Sequence, residues 1–152
     1  MNLTFGQLKL YKMTNKISLY KTCRSKASSE VSLIGVIHSI KHGDHEELVK
    51  ELRNIEGKKE RQKFKAKYFK AFTWCGIFKG GHGKSNLHSY NQIVGLDYDN
   101  VKDTIALKES LSSIDTSHVV FISPGGEGLK VLVKVNSDAT CHENAFEIVN
   151  NY

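Results

Sequence analysis

The feature that most constrains the fold of this chain is one stretch, Ile93-Val94-Gly95-Leu96-Asp97-Tyr98-Asp99. Its apolar residues are typical of a central β-strand with a covered face. Side chains alternate along a strand, so we expect Asp97 and Asp99 to point the same way, about 7 Å apart. Two carboxylates at the end of a strand can bind a divalent cation through hard oxygen ligands. The alternative is a loop in which Asp99 and Asn100 cap the next helix.

The residues after this stretch predict a regular order of elements. An amphipathic helix over about 102–114 is followed by a buried strand at 119–122, a glycine-rich turn at 123–128 and an alternating strand at 129–135. Ser137 or Asp138 is expected to cap a last helix. The order β-α-β-β-α needs one more strand to complete a ferredoxin-like unit. We therefore expect an α+β domain that is truncated at its C-terminus, with a palm-like subdomain over residues 92–152.

This topology predicts a specific convergence of side chains. The first and third strands of such a unit are adjacent and antiparallel, so Lys130 and Lys134 should face the open side of the sheet. There Lys130 would lie beside Asp97 and Asp99, close to the glycine-rich turn. Carboxylates can hold a cation while glycine N–H groups and a lysine bind phosphate oxygens, which suits a metal-bound triphosphate. The alternative is a plain Asp–Lys salt bridge beside a glycine hairpin.

The front half of the chain predicts a small α/β extension over residues 17–91. It begins with a short strand after a leader at 1–16, which we expect to be loosely ordered. Ser28 or Ser29 is expected to cap a helix carrying hydrophobic residues from Val31 to Ile40, and a second helix should span about 44–54. Residues 80–85 end in Gly-Lys-Ser, but a P-loop would need glycine where Phe78 stands. We interpret that segment as a glycine loop.

A basic run with interleaved aromatic residues covers residues 58–70. It predicts a solvated helix that buries Phe64 and Tyr68. Its lysines are better placed than any others in the chain to contact nucleic-acid phosphates. The candidates for DNA contact are Lys59, Lys63, Lys65 and Lys67.

Composition supports a polyanionic partner. The chain of 152 residues has 22 Lys and Arg against 16 Asp and Glu, a net charge of +6. No apolar run approaches the roughly 18 residues that a membrane span requires, so no membrane association is expected. Three cysteines far apart in the sequence favour reduced thiols and a cytoplasmic location.

Two motifs carry a resemblance to a known family. Ile-Val-Gly-Leu-Asp-Tyr-Asp resembles the first motif of the archaeo-eukaryotic primase superfamily, the primase-polymerases, and Phe-Ile-Ser-Pro-Gly-Gly-Glu-Gly-Leu-Lys resembles the second. The chain is more closely similar, from Ile17 onward, to the N-terminal domain of virulence-associated protein E-like proteins of mobile elements and phages. Lys130 stands where polymerising members usually carry His, and no residue matches their third acidic position.

The resemblance implies a ferredoxin- or RRM-like primase palm, usually fused to or partnered with a helicase-type ATPase. Asp97 and Asp99 match the catalytic, metal-binding carboxylates for Mg²⁺ or Mn²⁺. The nucleotide-binding positions are Ser123, Gly125, Gly126, Gly128 and Lys130. The function implied is binding of nucleotide triphosphate and DNA in replication, and we expect no polymerisation by this chain alone. The alternatives are a non-catalytic DNA- or nucleotide-binding module and a metal-dependent nuclease.

Overall fold

The computed structural model describes residues 15–151, so the expected leader at 1–16 lies almost entirely outside the described residues. Helices and strands are mixed along the chain, which confirms an α+β fold. The strands are β1 (Lys16–Tyr20), β2 (Ser28–Ser32), β3 (Ala71–Thr73), β4 (Gly76–Phe78), β5 (Leu87–Tyr90), β6 (Ile93–Tyr98), β7 (Ser117–Ile122) and β8 (Leu129–Lys134). The helices are α1 (Leu33–His42), α2 (Glu46–Asn54), α3 (Lys58–Tyr68), α4 (Thr104–Ser112) and α5 (His142–Asn150).

The second half of the chain forms a sheet in the order β6-β8-β7, and β8 is antiparallel to both neighbours. The predicted pairing of the first and third strands is therefore confirmed. One face of this sheet carries Val94, Leu96 and Val131, which are buried with Leu111 of α4 and Val149 of α5 packed against them. Alternation along the strands turns the next residues, including Asp97 and Lys130, toward the opposite face.

The sequence predicted that the opposite face is open, but this face is covered over much of its length. Ile93 and Leu132 are buried there in a core with Ile17 and Leu33 of the extension. Apolar burial on both faces explains why these strands read as nearly continuous hydrophobic runs. Lys134, expected on an open face, instead donates to the backbone oxygen of Asn91 at 3.2 Å, within the covered part.

The helix expected to begin at Ser28 or Ser29 begins later, at Leu33. Residues 28–32 form β2 instead, which pairs antiparallel with β1. Ser32 is the residue that caps α1, since its side chain accepts a hydrogen bond from Gly35 N at 3.3 Å. The expectation failed because pairing with β1 satisfies the backbone of this segment, and no local pattern shows that pairing. The helix ends at His42, and Gly43 follows it in the left-handed conformation with φ 76°.

Ser18 joins the sheet of order β2-β1-β3 to the two-stranded sheet β4-β5. It lies on β1 with no exposed surface. Its hydroxyl oxygen accepts a hydrogen bond from Phe78 N at 2.8 Å, and the hydroxyl lies 3.2 Å from Phe78 O, to which it donates. One side chain thus satisfies both backbone groups of a residue on β4.

We expect Ser18→Ala to lower the free energy of unfolding by about 1–3 kcal/mol, because it strands a buried N–H group without a partner. Urea unfolding followed by circular dichroism measures this loss. Ser29→Ala is the matched control, since Ser29 lies exposed on β2. Equal stabilities of the two variants would show that the Ser18 hydrogen bonds contribute nothing net.

Two further expectations concern the oxidation state of the cysteines and membrane-spanning helices. Cys23, Cys75 and Cys141 are all free thiols. Over residues 15–151, no helix combines the length and the apolar character needed to cross a membrane. A cytoplasmic location stays a prediction.

Candidate functional site

Asp97 and Lys130 face each other across the β6–β8 pair. They are direct register partners, and the Lys130 ammonium donates to the Asp97 carboxylate. The Asp97 side chain is 63% exposed and that of Lys130 is 31% exposed. An ion pair this exposed contributes only about 0–1 kcal/mol. Both charged groups can therefore exchange their present partner for a ligand at little cost.

Asp99 lies just beyond the end of β6, where it is exposed. The following helix does not use it as a cap, because Asp103 accepts hydrogen bonds from Ile105 N and Ala106 N. The alternative that Asp99 and Asn100 cap this helix is therefore wrong. Asp99 forms no hydrogen bond or ion pair with any residue between 15 and 151. The Asp99 carboxylate therefore neither caps the helix nor pairs with a charged group of the described chain.

The turn at 123–128 is closed by its own backbone. Ser123 N donates to Gly128 O at 2.8 Å, and Gly126 N donates to Ser123 O at 2.9 Å. Gly126 has φ 85°, which favours glycine, and a Cβ on Gly128 would lie 2.3 Å from Tyr98 O. A Cβ on Gly125 would meet nothing within 4 Å. Of these three glycines, Gly125 is therefore the one with open space where a Cβ would lie.

Asp99, Ser123 and Gly125 line a cavity of about 490 Å³ whose opposite wall is the basic helix α3. The residues of α3 in this wall are Lys58, Arg61, Gln62 and Lys65, and we call the space the basic cavity. They recur at helical spacing on one side of α3. Lys58 and Lys65 form no salt bridge within the described chain. The cavity therefore holds two cationic groups that no carboxylate neutralises.

Two arginines hold the turn against the helices. Arg53 Nε donates to Pro124 O at 3.1 Å, and Arg61 Nη1 donates to Glu127 Oε1 at 3.0 Å. Arg61 also donates to Ile55 O at 2.8 Å, which fixes its own position. Sequence reasoning missed both residues. Their partners lie more than 60 positions away, at separations of 71 and 66 residues, so no local motif could indicate them.

The predicted DNA-contacting lysines are divided by the structure. Lys65 lines the basic cavity, whereas Lys59, Lys63 and Lys67 are not among its lining residues. Lys63 pairs with Glu60 at 2.7 Å. The ammonium of Lys67 lies 4.8 Å from the ring centroid of Tyr68, and the Tyr68 side chain raises the pKa of Lys67. Contact of these lysines with DNA stays a prediction.

The carboxylates of Asp97 and Asp99 could hold a magnesium or manganese ion that takes its other ligands from water and from a bound phosphate. Within residues 15–151, no group of three or more His, Cys, Asp or Glu is arranged to hold a metal ion. Mg²⁺ commonly uses only one or two carboxylates and takes its other ligands from water and substrate phosphates. Asp97 and Asp99 are exposed carboxylates at the end of one strand, so they fit that manner of binding.

The fold and the site define an α+β domain in which a carboxylate-bearing strand end and a glycine turn face a basic helix. The chain belongs to the family described as BT4734-like, N-terminal domain, whose model matches residues 63–152. The match includes Asp97, Asp99, the glycine turn and the C-terminal part of α3. No curated protein and no solved structure matches the chain. The family description states no activity, so the geometry of the site carries the functional argument.

Proposed function

We propose that this chain is a primase-polymerase-like domain of a mobile-element or phage replication protein, similar to the virulence-associated protein E-like proteins. It would bind nucleotide triphosphate and DNA through a divalent-metal site. The observation that carries the proposal is the basic cavity, where Asp99, Ser123 and Gly125 face Lys58 and Lys65. The order β6-β8-β7, with one crossover helix between β6 and β7, supports a ferredoxin-like palm.

The carboxylates, the glycine turn and the lysines each have a separate part in this proposal. Asp97 and Asp99 supply hard oxygen ligands for Mg²⁺ or Mn²⁺. Gly125 offers an unobstructed approach to the turn, and the ammonium groups of Lys58 and Lys65 offset phosphate charge. A cation bound to Asp97 would displace the Lys130 ammonium, which would then be available to a phosphate oxygen. The bound ion would neutralise charge on the triphosphate.

One observation favours the non-catalytic alternative for this chain taken alone. Among the described residues, Asp97 is paired with Lys130 and Glu127 with Arg61, so Asp99 is the one carboxylate of the site without a partner. We therefore propose that the chain binds nucleotide and DNA without polymerising nucleotides. Its helicase-type ATPase partner, whether fused or separate, belongs to the same proposal.

The test compares the two sides of α3. We expect Lys58→Ala/Lys65→Ala to weaken binding of a nucleoside triphosphate about tenfold or more, because each charge-assisted hydrogen bond contributes roughly 1.5–3 kcal/mol. The control is Lys59→Ala/Lys63→Ala, which removes the same charge outside the cavity. Isothermal titration calorimetry in Mg²⁺ measures both. Equal losses would mean that net charge alone drives binding, and the proposed triphosphate position would be wrong.

A separate measurement tests the DNA contacts proposed for Lys59, Lys63 and Lys67. Each true phosphate contact contributes about one unit to the slope of log affinity against log salt. We expect the triple alanine variant to bind DNA with a lower slope than the wild type. An unchanged slope would reduce this side of α3 to a solvated surface.

A further inference from the structure

A second cavity, of about 420 Å³, lies beside the basic cavity and is walled by aromatic rings. Phe69, Phe72, Trp74 and Phe121 line it, and we call it the aromatic cavity. Phe72 and Trp74 are stacked, with ring centroids 5.3 Å apart and planes at 25°. Phe121 is buried and belongs to the core, but the other three rings are only partly buried. Aromatic surface therefore borders open space here.

The rim of the aromatic cavity carries several cationic side chains. Lys50, Arg53, Lys70 and Lys130 lie among its lining residues, against Glu46 as the one lining carboxylate. Glu46 and Glu47 both pair with Lys50, at 3.2 Å and 3.0 Å, so Arg53 and Lys70 are the rim cations that form no salt bridge within the described chain. A purely apolar ligand would gain nothing from this charge. Aromatic platforms surrounded by cations are instead suited to a nucleobase that carries phosphate.

The two cavities adjoin across the turn at 123–128. Pro124 lines the aromatic cavity, whereas its neighbours Ser123 and Gly125 line the basic cavity. Arg53, on the aromatic side, donates to Pro124 O and packs against Gly126. Lys130 also lines the aromatic cavity while it pairs with Asp97. A ligand with a flat base and a phosphate group can therefore use both cavities at once.

We propose that the aromatic cavity is a nucleobase site, in which a base stacks on the Phe69, Phe72 and Trp74 surface while its phosphate faces the cations of the rim. This inference rests on the proposed function, since it adds the base to the proposed phosphate position. The base can come from a single strand of nucleic acid or from a free nucleotide. The chemistry of the site is the same for both sources.

Trp74 is the only tryptophan of the chain, so its fluorescence reports on a ligand that binds beside it. The full chain is titrated, without divalent metal, with a single-stranded oligonucleotide and with an abasic phosphodiester of equal length. We expect saturable quenching by the oligonucleotide and little quenching by the abasic strand, which has the charge and lacks the bases. Equal quenching by both strands, or none by either, would overturn the proposal.

Variants locate the effect within the aromatic cavity. Phe72→Leu and, separately, Phe69→Leu should each weaken oligonucleotide binding about five- to hundredfold, the range for one lost base–aromatic stacking contact. Fluorescence anisotropy of a labelled strand measures this, and urea unfolding checks that each variant is folded. Phe146→Leu is the matched control, since Phe146 is 40% exposed on α5. Wild-type affinity in both cavity variants would contradict the proposal.

A further control concerns a neighbouring cavity that Phe72 and Trp74 also line, together with His82. His82→Ala should leave the quenching unchanged. Loss of quenching in this variant would show that the ligand binds in the neighbouring cavity, which would contradict the proposal. Half-saturation at a lower concentration for the oligonucleotide than for a nucleoside triphosphate assigns the base to a strand. The reverse order assigns it to a free nucleotide.

The failure of this proposal is distinguishable from failure of the proposed function. Asp97→Asn removes the metal-dependent part of nucleotide binding, whereas Trp74 quenching is measured without metal. Base-dependent quenching without metal-dependent nucleotide binding would leave the nucleobase site in place and remove the metal site. Metal-dependent binding without base-dependent quenching would do the opposite.

Discussion

Asp99→Asn is expected to abolish the metal dependence of nucleoside triphosphate binding, and Asp97→Asn should do the same. Each substitution keeps the shape of the side chain and removes one charged ligand. The charge and number of ligands change the affinity of oxygen sites for divalent cations by decades, so we expect at least about a tenfold loss for each variant. Calorimetric titration of Mn²⁺ together with nucleotide into the wild type and the variants measures it.

The control for this experiment is Asp115→Asn, which removes an exposed carboxylate between α4 and β7. Its net charge equals that of the two site variants, so it corrects for long-range electrostatics. Asp99→Asn should be the cleaner of the two changes, because Asp99 has no partner within the described chain to lose. If all three variants bind Mn²⁺ and nucleotide as the wild type does, the paired carboxylates are structural and the metal site is wrong.

Substitution of Lys130 is expected to affect metal binding in the opposite direction to substitution of Asp97 or Asp99. Lys130→Ala should weaken triphosphate binding while metal binding stays unchanged or becomes tighter. The physical reason is that the Lys130 ammonium is paired with the Asp97 carboxylate and would repel a cation that approaches it. Parallel losses of metal and triphosphate binding would show that Lys130 supports the site only by holding Asp97 in place.

Gly128→Ala is expected to have the largest effect on stability among the glycines of the turn, lowering the free energy of unfolding by about 1–3 kcal/mol. The added Cβ would lie 2.3 Å from Tyr98 O, a backbone atom. Tyr98 is paired with Leu129 in the β6–β8 register, so the strands must separate to relieve the overlap. Urea unfolding measures the loss, and nucleotide binding should fall with it because the same movement displaces Asp99.

Gly125→Ala is the matched control within the same turn. Its Cβ would meet nothing within 4 Å, so stability should change by no more than about 0.5 kcal/mol. Its effect should appear in triphosphate binding, since Gly125 lines the basic cavity. The pair of variants thus separates a glycine needed for close strand packing from one available to a ligand. Equal destabilisation by both would refute this assignment.

The residues of the second half were sufficient to predict its strand pairing. β6 and β8 carry uninterrupted or alternating hydrophobic patterns, and the turn between β7 and β8 is marked by Pro124 and three glycines. Such patterns fix the strands and the face that each side chain occupies, because a one-residue slip would expose the buried set. The sequence therefore predicted that Lys130 lies on the same side of the sheet as Asp97, and the structure shows the two residues as direct register partners.

Local patterns failed where the partner lies far along the chain. Residues 28–32 have a sequence that a helix start could share, and only the presence of β1 beside them makes them a strand. The glycine turn predicted a phosphate-binding element, but the sequence did not show that α3 would face it. That placement depends on Arg53 and Arg61, which bind Pro124 and Glu127 across the tertiary fold.

The sequence by itself thus determined the α+β class, the order of elements in residues 92–150 and the position of two carboxylates at a strand end. These follow from periodicity and turn chemistry, which act over a few residues. Tertiary structure alone decided that Lys58 and Lys65 face Asp99, that one face of the sheet is largely covered, and that Phe72 and Trp74 border a second cavity. Those features arise from packing between segments that are distant in the sequence. The hydrophobic effect is not directional, so a local pattern does not show which segments will pack together.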